Sequence, residues 1–237
     1  MPVLIAAVNR DLDIVVPLAA KLLEGGGEVR CYLEFDDHEL RSMGCKIAVG
    51  DLDDAYTMGA ALTNVHTFVP FLADPLSFAA DLGQLTAFGR AAAEAGAAAH
   101  LAQTILPISA AGEPGHPIFD ALRAVEETFR RLVNPLCVLR TGFVAGPDRP
   151  LSPTEPQGSQ DNVSAVEVTD LVAVIAAADD RERIEGDWEL AGSLVSVMAE
   201  SGSDRIFSEL RAFPLLVENS AAAEFGQVEA HSNVESS

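Results

Sequence analysis

Short runs of apolar residues alternate along this chain with longer segments whose apolar residues recur at helical spacing. The runs predicted to be buried strands are Val3–Val8, Glu28–Glu34, Cys45–Val49, His66–Leu72, Ala98–Ile105 and Leu136–Val144. The spacing between them predicts helices at Ile14–Glu24, Asp36–Ser42, Asp54–Leu62, Ser77–Ala95 and Ile118–Val133. This alternation is typical of βαβ units and predicts an α/β fold with a doubly wound parallel sheet.

The pattern changes after the sixth predicted strand. Residues 148–160 are rich in Pro, Ser, Glu and Gln and predict a loop, whereas Asn162–Ala178 predicts a short strand and a helix. Another helix is predicted at Ser201–Leu210. We therefore predict a main domain over 1–150, a small C-terminal lobe over 151–215, and a flexible acidic tail over 216–237.

The charge balance limits the partners that the protein can bind. The formal net charge is -21, and only 15 of the 237 residues are Lys or Arg. Nucleic acid and anionic membrane surfaces are disfavoured, because both need basic residues to bind them. A small neutral ligand and a basic protein partner both remain compatible with this composition.

The cysteines indicate a reducing compartment. Cys31, Cys45 and Cys137 each lie in an apolar stretch, and their odd number and spacing predict buried, reduced thiols. No Cys/His cluster is present, so we expect no metal site. The amino terminus lacks a signal-peptide pattern and Val3–Val8 is too short to span a membrane, so we expect a cytoplasmic protein.

Three phrases carry a resemblance to a known superfamily. They are Gly50-Asp51-Leu52-Asp53-Asp54 after the third strand, Leu139–Pro147 (LRTGFVAGP) and Ser164–Leu171 (SAVEVTDL). In this order they resemble the atypical, NmrA-like and epimerase-like branches of the short-chain dehydrogenase/reductase superfamily, over residues 3 to 210. The resemblance implies a Rossmann-like fold with a small C-terminal substrate lobe, and it places Asp51 near the adenine of a dinucleotide.

The first departure from this superfamily lies in the turn after the first strand. Relatives have a GxxGxxG turn whose glycines let the backbone approach the pyrophosphate. Here Asn9, Leu12 and Val15 occupy those positions, and Asp11 and Asp13 add negative charge beside them. Asp13 is alternatively interpreted as the N-cap of the first helix. Either interpretation leaves no phosphate cradle.

The second departure concerns catalysis. Relatives use a YxxxK motif, in which Tyr transfers a proton and Lys lowers the pKa of that Tyr. Phe119 falls on the Tyr position and Arg123 on the Lys position. Phe has no ionisable group, and the chain has no Tyr or Lys beyond Tyr56, so the Tyr–Lys mechanism is absent.

Other polar residues are candidates for binding a ligand at the carboxyl edge of the sheet. Gln103 or Thr104 is predicted near the end of the fifth strand, with Ser109 a few residues beyond. His116 precedes the next helix and could act in proton transfer, or it could simply be solvated. Arg140 could hold an anionic group of a ligand, or it could form an ion pair with Glu126 or Glu127.

These observations favour a non-redox relative that binds a small, largely apolar ligand, including a cofactor-independent cyclase, dehydratase or isomerase. No cofactor is expected. If a dinucleotide binds, Asn9, Glu34 and Asp51 are the candidates to contact it, and Glu34 favours NAD over NADP. The alternatives are an NAD(P)-dependent oxidoreductase or epimerase with a diverged turn, and an NmrA-like regulatory sensor. Helices Ser77–Ala95 and Ile118–Val133 permit a homodimer.

Overall fold

Seven parallel strands form the central sheet, and the computed structural model describes residues 1–78, 80–109, 115–145, 162–179, 186–190 and 194–196. The strands are β1 Pro2–Ala6, β2 Glu28–Leu33, β3 Lys46–Val49, β4 Thr67–Pro70, β5 Gln103–Ser109, β6 Leu136–Thr141 and β9 Gly186–Leu190. Their order is β3-β2-β1-β4-β5-β6-β9, and every pairing is parallel. The order reverses between β1 and β4, and the crevice at such a reversal is where doubly wound folds bind ligands.

Helices cover both faces of the sheet. The helices are α1 Leu12–Glu24, α2 His38–Ser42, α3 Ala55–Ala61, α4 Leu82–Ala98, α5 Pro117–Leu132 and α6 Val168–Asp179. Helices α1 and α6 pack together on one face, and α3, α4 and α5 pack side by side on the other. The predicted doubly wound, Rossmann-like α/β fold is confirmed.

The alternation of side chains along β1 explains why both faces are covered. Val3 and Ile5 belong to the core on the α1 face, whereas Leu4 and Ala6 belong to the core on the α4 face. All four side chains are fully buried. A strand that buries both faces needs helices on both sides, and the short continuous apolar runs of the sequence indicate this arrangement.

The fifth strand starts later than the sequence predicts. The prediction of Ala98–Ile105 is wrong, because the Ala-rich helix α4 continues to Ala98 and the strand spans Gln103–Ser109. Alanine has the highest helix propensity, so the alanines at the end of α4 continue the helix, and the apolar run alone misplaced this boundary.

The predicted sixth strand is divided at Gly142. Leu136–Thr141 remains in the main sheet as β6, while β7 Phe143–Ala145 pairs with β8 Asn162–Glu167 in a second sheet of order β10-β8-β7. The third strand of that sheet is β10 Leu194–Ser196. Strands β9 and β10 were not predicted from the sequence.

Three predictions lie outside the described residues: the loop at 148–160, the helix at Ser201–Leu210 and the acidic tail at 216–237. The division into a main domain and a C-terminal lobe stays a prediction. Among the helices that the structure describes, none has the length and apolar character needed to cross a bilayer.

Candidate functional site

Two buried carboxylates and a serine lie at the reversal of strand order. Asp11 follows β1 and is fully buried, and Asp74 follows β4 and is 3% exposed. The Ser77 hydroxyl lies 2.5 Å from Asp11 Oδ1 and 3.0 Å from Asp74 Oδ2. These three side chains, which we call the carboxylate bridge, join the turn after β1 to the turn after β4. They lie at the crevice where doubly wound folds bind ligands.

The turn after β1 is built without glycine. Asn9–Asp11 form one turn of 3₁₀-helix, in which Asp11 N–H donates to Val8 O at 3.0 Å. Helix α1 then begins at Leu12, so the interpretation of Asp13 as its N-cap is wrong: Asp13 is exposed in the first helical turn. Val15, at the position of the superfamily's third glycine, is fully buried in the core. In a GxxGxxG turn the glycine at this position lets the helix pack closely against the strand, whereas here the position carries the side chain of Val15.

The side chain of Asn9 connects the turn after β1 to the turn after β2 by hydrogen bonds. Its Oδ1 accepts from Phe35 N–H at 3.1 Å, and its Nδ2 donates to Phe35 O at 3.4 Å. The amide of Asn9 therefore pairs with the backbone of the neighbouring turn on both of its polar atoms. Phe35 itself is 69% exposed. Asn9, one of the three candidates for contact with a dinucleotide, therefore forms its side-chain hydrogen bonds within the protein.

Glu34 and Asp51 also make internal contacts. Glu34 Oε1 accepts from Gln84 Nε2 at 2.8 Å, which ties β2 to α4. The backbone carbonyl of Asp51 accepts from the Tyr32 hydroxyl at 2.9 Å, while the Asp51 side chain is exposed. Burial raises the pKa of Tyr32. A Cβ at Gly50 would collide with the Tyr32 hydroxyl, which explains the glycine of the GDL-D phrase by packing.

Negative charge dominates this half of the sheet edge. The acidic residues in the turns after β1 to β4 and in the first turn of α1 are Asp11, Asp13, Glu34, Asp36, Asp37, Asp51, Asp53, Asp54, Asp74 and Asp81. Arg10 is the one Lys or Arg in the turns after these strands, at residues 7–11, 34–37, 50–54 and 71–81. Carboxylates repel an approaching phosphate, and this repulsion strengthens where water is excluded. The charge of this edge therefore opposes the approach of a diphosphate.

The other half of the edge carries two buried hydroxyls. Ser109 ends β5 and Thr141 ends β6, and the two residues are paired in register. Residues opposite each other in a parallel pair point to the same face, so the hydroxyls lie side by side. Ser109 is 3% exposed and Thr141 2%, and neither oxygen has a hydrogen-bond partner among the described residues.

Unpartnered buried hydroxyls are uncommon and call for an explanation such as a bound ligand or water. Sequence reasoning placed Ser109 beyond the strand and did not consider Thr141. Their shared position at the ends of two adjacent strands is the signal that could have identified them. Using that signal requires the correct end of β5.

The predicted position of Gln103 and Thr104 is wrong. They begin β5 and lie at the amino edge of the sheet, opposite the ligand-binding edge. Both are fully buried, and Gln103 Nε2 donates to Thr67 Oγ1 at 3.2 Å and to Ala178 O at 3.3 Å. The error follows from the misplaced start of the strand. Ser109 occupies the end of the strand that these residues were expected to occupy.

His116 is the N-cap of α5. Its Nδ1 accepts from Ile118 N–H at 3.3 Å, which requires the tautomer with its proton on Nε2. The His116 ring lies 5.3 Å from the ring of Phe119, which is 1% exposed in the core. Arg123 forms an ion pair with Asp120, and that hydrogen bond lowers the pKa of Asp120. A catalytic role for His116 stays a prediction, as do ligand contacts by Phe119 and Arg123.

Arg140 takes part in an ion-pair network. Its Nη2 lies 2.6 Å from Glu126 Oε1 and 3.4 Å from Asp187 Oδ2, and Arg130 contacts the same two acids at 2.7 Å. The hydrogen bonds that Arg140 donates to the Glu126 carboxylate raise the pKa of Arg140. The ion-pair interpretation is confirmed with Glu126, and the network holds β9 against β6 and α5. Binding of a ligand by Arg140 stays a prediction.

Solved structures share this fold at low sequence identity, whereas no family model and no curated protein matches the chain. UDP-glucose 4-epimerase from Thermotoga maritima with UDP-glucose has a TM-score of 0.64 at 16% identity, covering 89% of this chain and 81% of that one. The dTDP-glucose 4,6-dehydratase of Streptomyces venezuelae with NAD has 0.65 at 15%, covering 89% and 80%. Vestitone reductase from alfalfa has 0.64 at 12%, covering 97% and 99%. The chain therefore has the fold of the epimerases, dehydratases and reductases that the resemblance implied.

Proposed function

We propose that this protein is a non-redox member of this fold that binds a small, largely apolar ligand without phosphate groups at the carboxyl edge of its sheet. The observation that carries the proposal is the carboxylate bridge of Asp11, Ser77 and Asp74. It lies at the reversal of strand order, where the fold binds a dinucleotide in its nicotinamide-dependent members. A dinucleotide would bring its diphosphate against a buried carboxylate.

The donor chemistry of the turn after β1 supports the proposal. A diphosphate needs backbone N–H groups and a close approach at a helix amino terminus. Here Asp11 N–H donates within the 3₁₀ turn and the Asn9 amide is paired with Phe35. The residues present do not fit a diphosphate, and the missing Tyr–Lys pair removes the proton transfer that redox relatives use.

The hydroxyls of Ser109 and Thr141 supply the polar anchor of the proposed ligand site. Each hydroxyl can donate one hydrogen bond and accept others. Side by side, they suit a carbonyl or hydroxyl oxygen on an otherwise apolar molecule. Such an oxygen would satisfy two buried groups that have no hydrogen-bond partner in the described part of the chain, which favours an oxygen-bearing ligand over a pure hydrocarbon.

His116 is the residue proposed to act on a bound substrate. Its Nδ1 accepts from Ile118 N–H, so the ring is neutral with its proton on Nε2. A hydrogen bond from Nε2–H to a ligand oxygen would polarise that oxygen without transferring the proton, which is compatible with a cyclase, dehydratase or isomerase, none of which requires net oxidation or reduction.

A second candidate function has a specific observation in its favour. The dehydratase from Streptomyces venezuelae has NAD bound, and this chain shares its fold over 89% of the residues. An NAD-dependent epimerase, dehydratase or reductase with a diverged turn is therefore the alternative. It requires the diphosphate to bind away from Asp11.

A thermal-shift titration separates the two candidates. The full chain is heated with NAD, NADH, NADP, NADPH, ADP or adenosine, and an NAD-dependent enzyme of the same fold is measured in parallel. A ligand at ~100 times its Kd stabilises the native state by ~2.7 kcal/mol. That raises Tm by roughly 5–10 °C for a domain of this size. We expect no shift with any dinucleotide.

A concentration-dependent rise in Tm with any of the four dinucleotides would overturn the proposal and favour the second candidate. Adenosine and ADP show which part of the dinucleotide prevents its binding. A rise with adenosine but not with ADP would show that the base can dock while the diphosphate is rejected, as the carboxylate bridge predicts.

A further inference from the structure

Three large apolar side chains are exposed around the carboxyl ends of β2 and β3. Phe35 in the turn after β2 is 69% exposed, Val49 at the end of β3 is 54% exposed, and Tyr56 in the first turn of α3 is 86% exposed. We call these three residues the β3 edge surface. The strand order places β1 and β4 between this surface and the hydroxyls of Ser109 and Thr141. Exposed apolar side chains that lie near one another are typical of interaction sites.

Internal hydrogen bonds fix the backbone on which these side chains stand. Asn9 binds both the N–H and the carbonyl of Phe35, at 3.1 and 3.4 Å. The Tyr32 hydroxyl lies 2.7 Å from Thr57 Oγ1, which attaches the first turn of α3, and with it Tyr56, to β2. A partner that covers a fixed surface loses less free energy to ordering than one that covers a mobile loop.

Strand β3 also offers a backbone edge. It stands at the end of the sheet, and β2 is its one neighbour among the described strands. Gly50 N–H, directly after β3, donates to Leu33 O at 3.0 Å. Because alternate residues of a strand direct their backbone groups to opposite sides, Ile47 and Val49 direct theirs away from β2. Such an edge is a template for pairing with another extended segment.

The charge around this edge is strongly negative. Residues 34–56 contain two basic residues, Arg41 and Lys46, of which Arg41 pairs with Asp36 at 2.7 Å and Lys46 pairs with Glu28 at 2.8 Å. The same range contains seven acidic residues, which are Glu34, Asp36, Asp37, Glu39, Asp51, Asp53 and Asp54. The excess of carboxylates attracts a basic partner and repels an acidic one.

This charge decides between three kinds of occupant. A second copy of the chain would bring the same carboxylates against this edge. The segment 216–237 of the chain itself contains Glu but no Lys or Arg. Like charges brought together across an interface oppose binding, so both occupants are disfavoured. A basic segment of another protein has the complementary charge.

We propose that the β3 edge surface docks an extended segment of a partner protein in which apolar residues alternate with Lys or Arg. The segment adds a strand to β3 and bonds to the outward backbone groups of Ile47 and Val49. Alternate side chains of a strand point to opposite faces, so its apolar residues can cover Val49 and Phe35 while its basic residues face the carboxylates. This surface is independent of the proposed ligand site at β5 and β6.

A peptide titration tests the proposal on the full chain. The probe is a fluorescein-labelled peptide of about eight alternating Lys and Val residues, followed by fluorescence anisotropy at about 0.15 M ionic strength. We expect saturable binding of one peptide per chain. Replacing a central Val of the peptide by Pro, or every Lys by Glu, should weaken binding at least about tenfold. Absence of binding, or equal binding of the Pro peptide, would overturn the proposal.

Two variants of the chain test the edge itself. Val49→Pro removes an N–H that points away from β2, so pairing within the sheet is kept while the outer edge loses a donor. Phe35→Ser removes an exposed aromatic side chain and leaves its backbone bonds to Asn9 in place. Each should weaken peptide binding about tenfold, with circular dichroism verifying the fold. Unchanged affinity in folded Phe35→Ser or folded Val49→Pro would contradict docking at this edge.

A matched pair of charge reversals separates docking from general attraction to an acidic protein. Asp53→Lys lies beside the β3 edge surface, whereas Glu127→Lys makes the same change of charge on the exposed side of α5. We expect about tenfold weaker binding for Asp53→Lys and little change for Glu127→Lys. Equal weakening by both would overturn the proposal. Sedimentation of the chain alone is the final arm, and a dimer that Val49→Pro dissociates would assign the edge to a second copy instead.

Discussion

The two halves of the sheet's carboxyl edge differ in how their buried polar groups are satisfied. At β1 and β4, Asp11 and Asp74 share the Ser77 hydroxyl. At β5 and β6, Ser109 and Thr141 have no hydrogen-bond partner among the described residues. In the first half, the Ser77 hydroxyl hydrogen-bonds with carboxylates of the same chain. In the second half, the hydroxyls of Ser109 and Thr141 could bond to another molecule, since no described residue bonds to them.

Under the proposed function, the architecture of the fold stays the same while its binding chemistry differs. The sheet and its strand order support the core on both faces. In this proposal, the half that holds the diphosphate in dinucleotide-binding proteins is instead crossed by hydrogen bonds between residues distant in the sequence. Removing a hydroxyl from the first half should therefore lower the free energy of unfolding, whereas removing one from the second half should leave it unchanged or raise it.

The largest effect is expected from Ser77→Ala. Removing the hydroxyl deprives the buried carboxylates of Asp11 and Asp74 of the one O–H between them, which costs about 2–3 kcal/mol of unfolding free energy. Chemical denaturation followed by circular dichroism measures it. The matched control is Ser42→Ala, whose exposed hydroxyl donates to Glu39 O at 2.8 Å and whose loss should cost less than about 0.5 kcal/mol. Equal effects of the two substitutions would contradict the structural role of the carboxylate bridge.

Gly50→Ala tests whether packing explains the glycine after β3. The new methyl group would collide with the Tyr32 hydroxyl, which is held by Thr57 Oγ1 at 2.7 Å, and overpacking should cost about 1–2 kcal/mol. Gly59→Ala is the control: its Cβ meets nothing within 4 Å in α3, so it should stabilise by about 0.5–1 kcal/mol. Stability unchanged by Gly50→Ala would show that Tyr32 is not fixed there.

His116→Ala should cost about 1 kcal/mol through loss of the cap of α5. His116→Asn supplies a side-chain oxygen for the same cap and should recover most of that stability, but it cannot act as an acid or base near neutral pH. Once a turnover assay exists, loss of activity in both variants identifies a catalytic His116. Full activity in folded His116→Asn would limit the residue to capping.

The smallest effect on stability, and the opposite sign, is expected from Ser109→Ala and Thr141→Val. Each removes a buried hydroxyl that has no hydrogen-bond partner within the described ranges, so unfolding free energy should stay the same or rise by up to about 1 kcal/mol. Affinity for the ligand should fall about tenfold per hydroxyl, since a lost hydrogen bond of ~1.4 kcal/mol corresponds to that factor. Destabilisation by more than 1 kcal/mol would mean that these hydroxyls serve the fold.

Particular residues show how far the sequence reaches. The helical spacing of Ile14–Glu24 predicted the end of α1 at Glu24, as observed. The start of β5 was misplaced, because the apolar run that begins at Ala98 was assigned to a strand although alanine favours the helix that ends there. Because of this error, Gln103 was predicted near the end of β5 although it begins the strand, and Ser109 was not recognised as its last residue. Strand β9 was missed since Gly186–Leu190 has little apolar pattern, and its place in the sheet depends on pairing with β6 and the ion pairs of Asp187.

Residue identity and local spacing were enough to predict the α/β alternation, the lack of any Tyr or Lys beyond Tyr56, and the lack of glycine at residues 7–15. The contact of Asp11 with Ser77 and the position of Ser109 beside Thr141 became visible only in the folded structure. Those pairs are joined by strand order and register, which are set by long-range packing of the whole sheet and have no signature in any single segment.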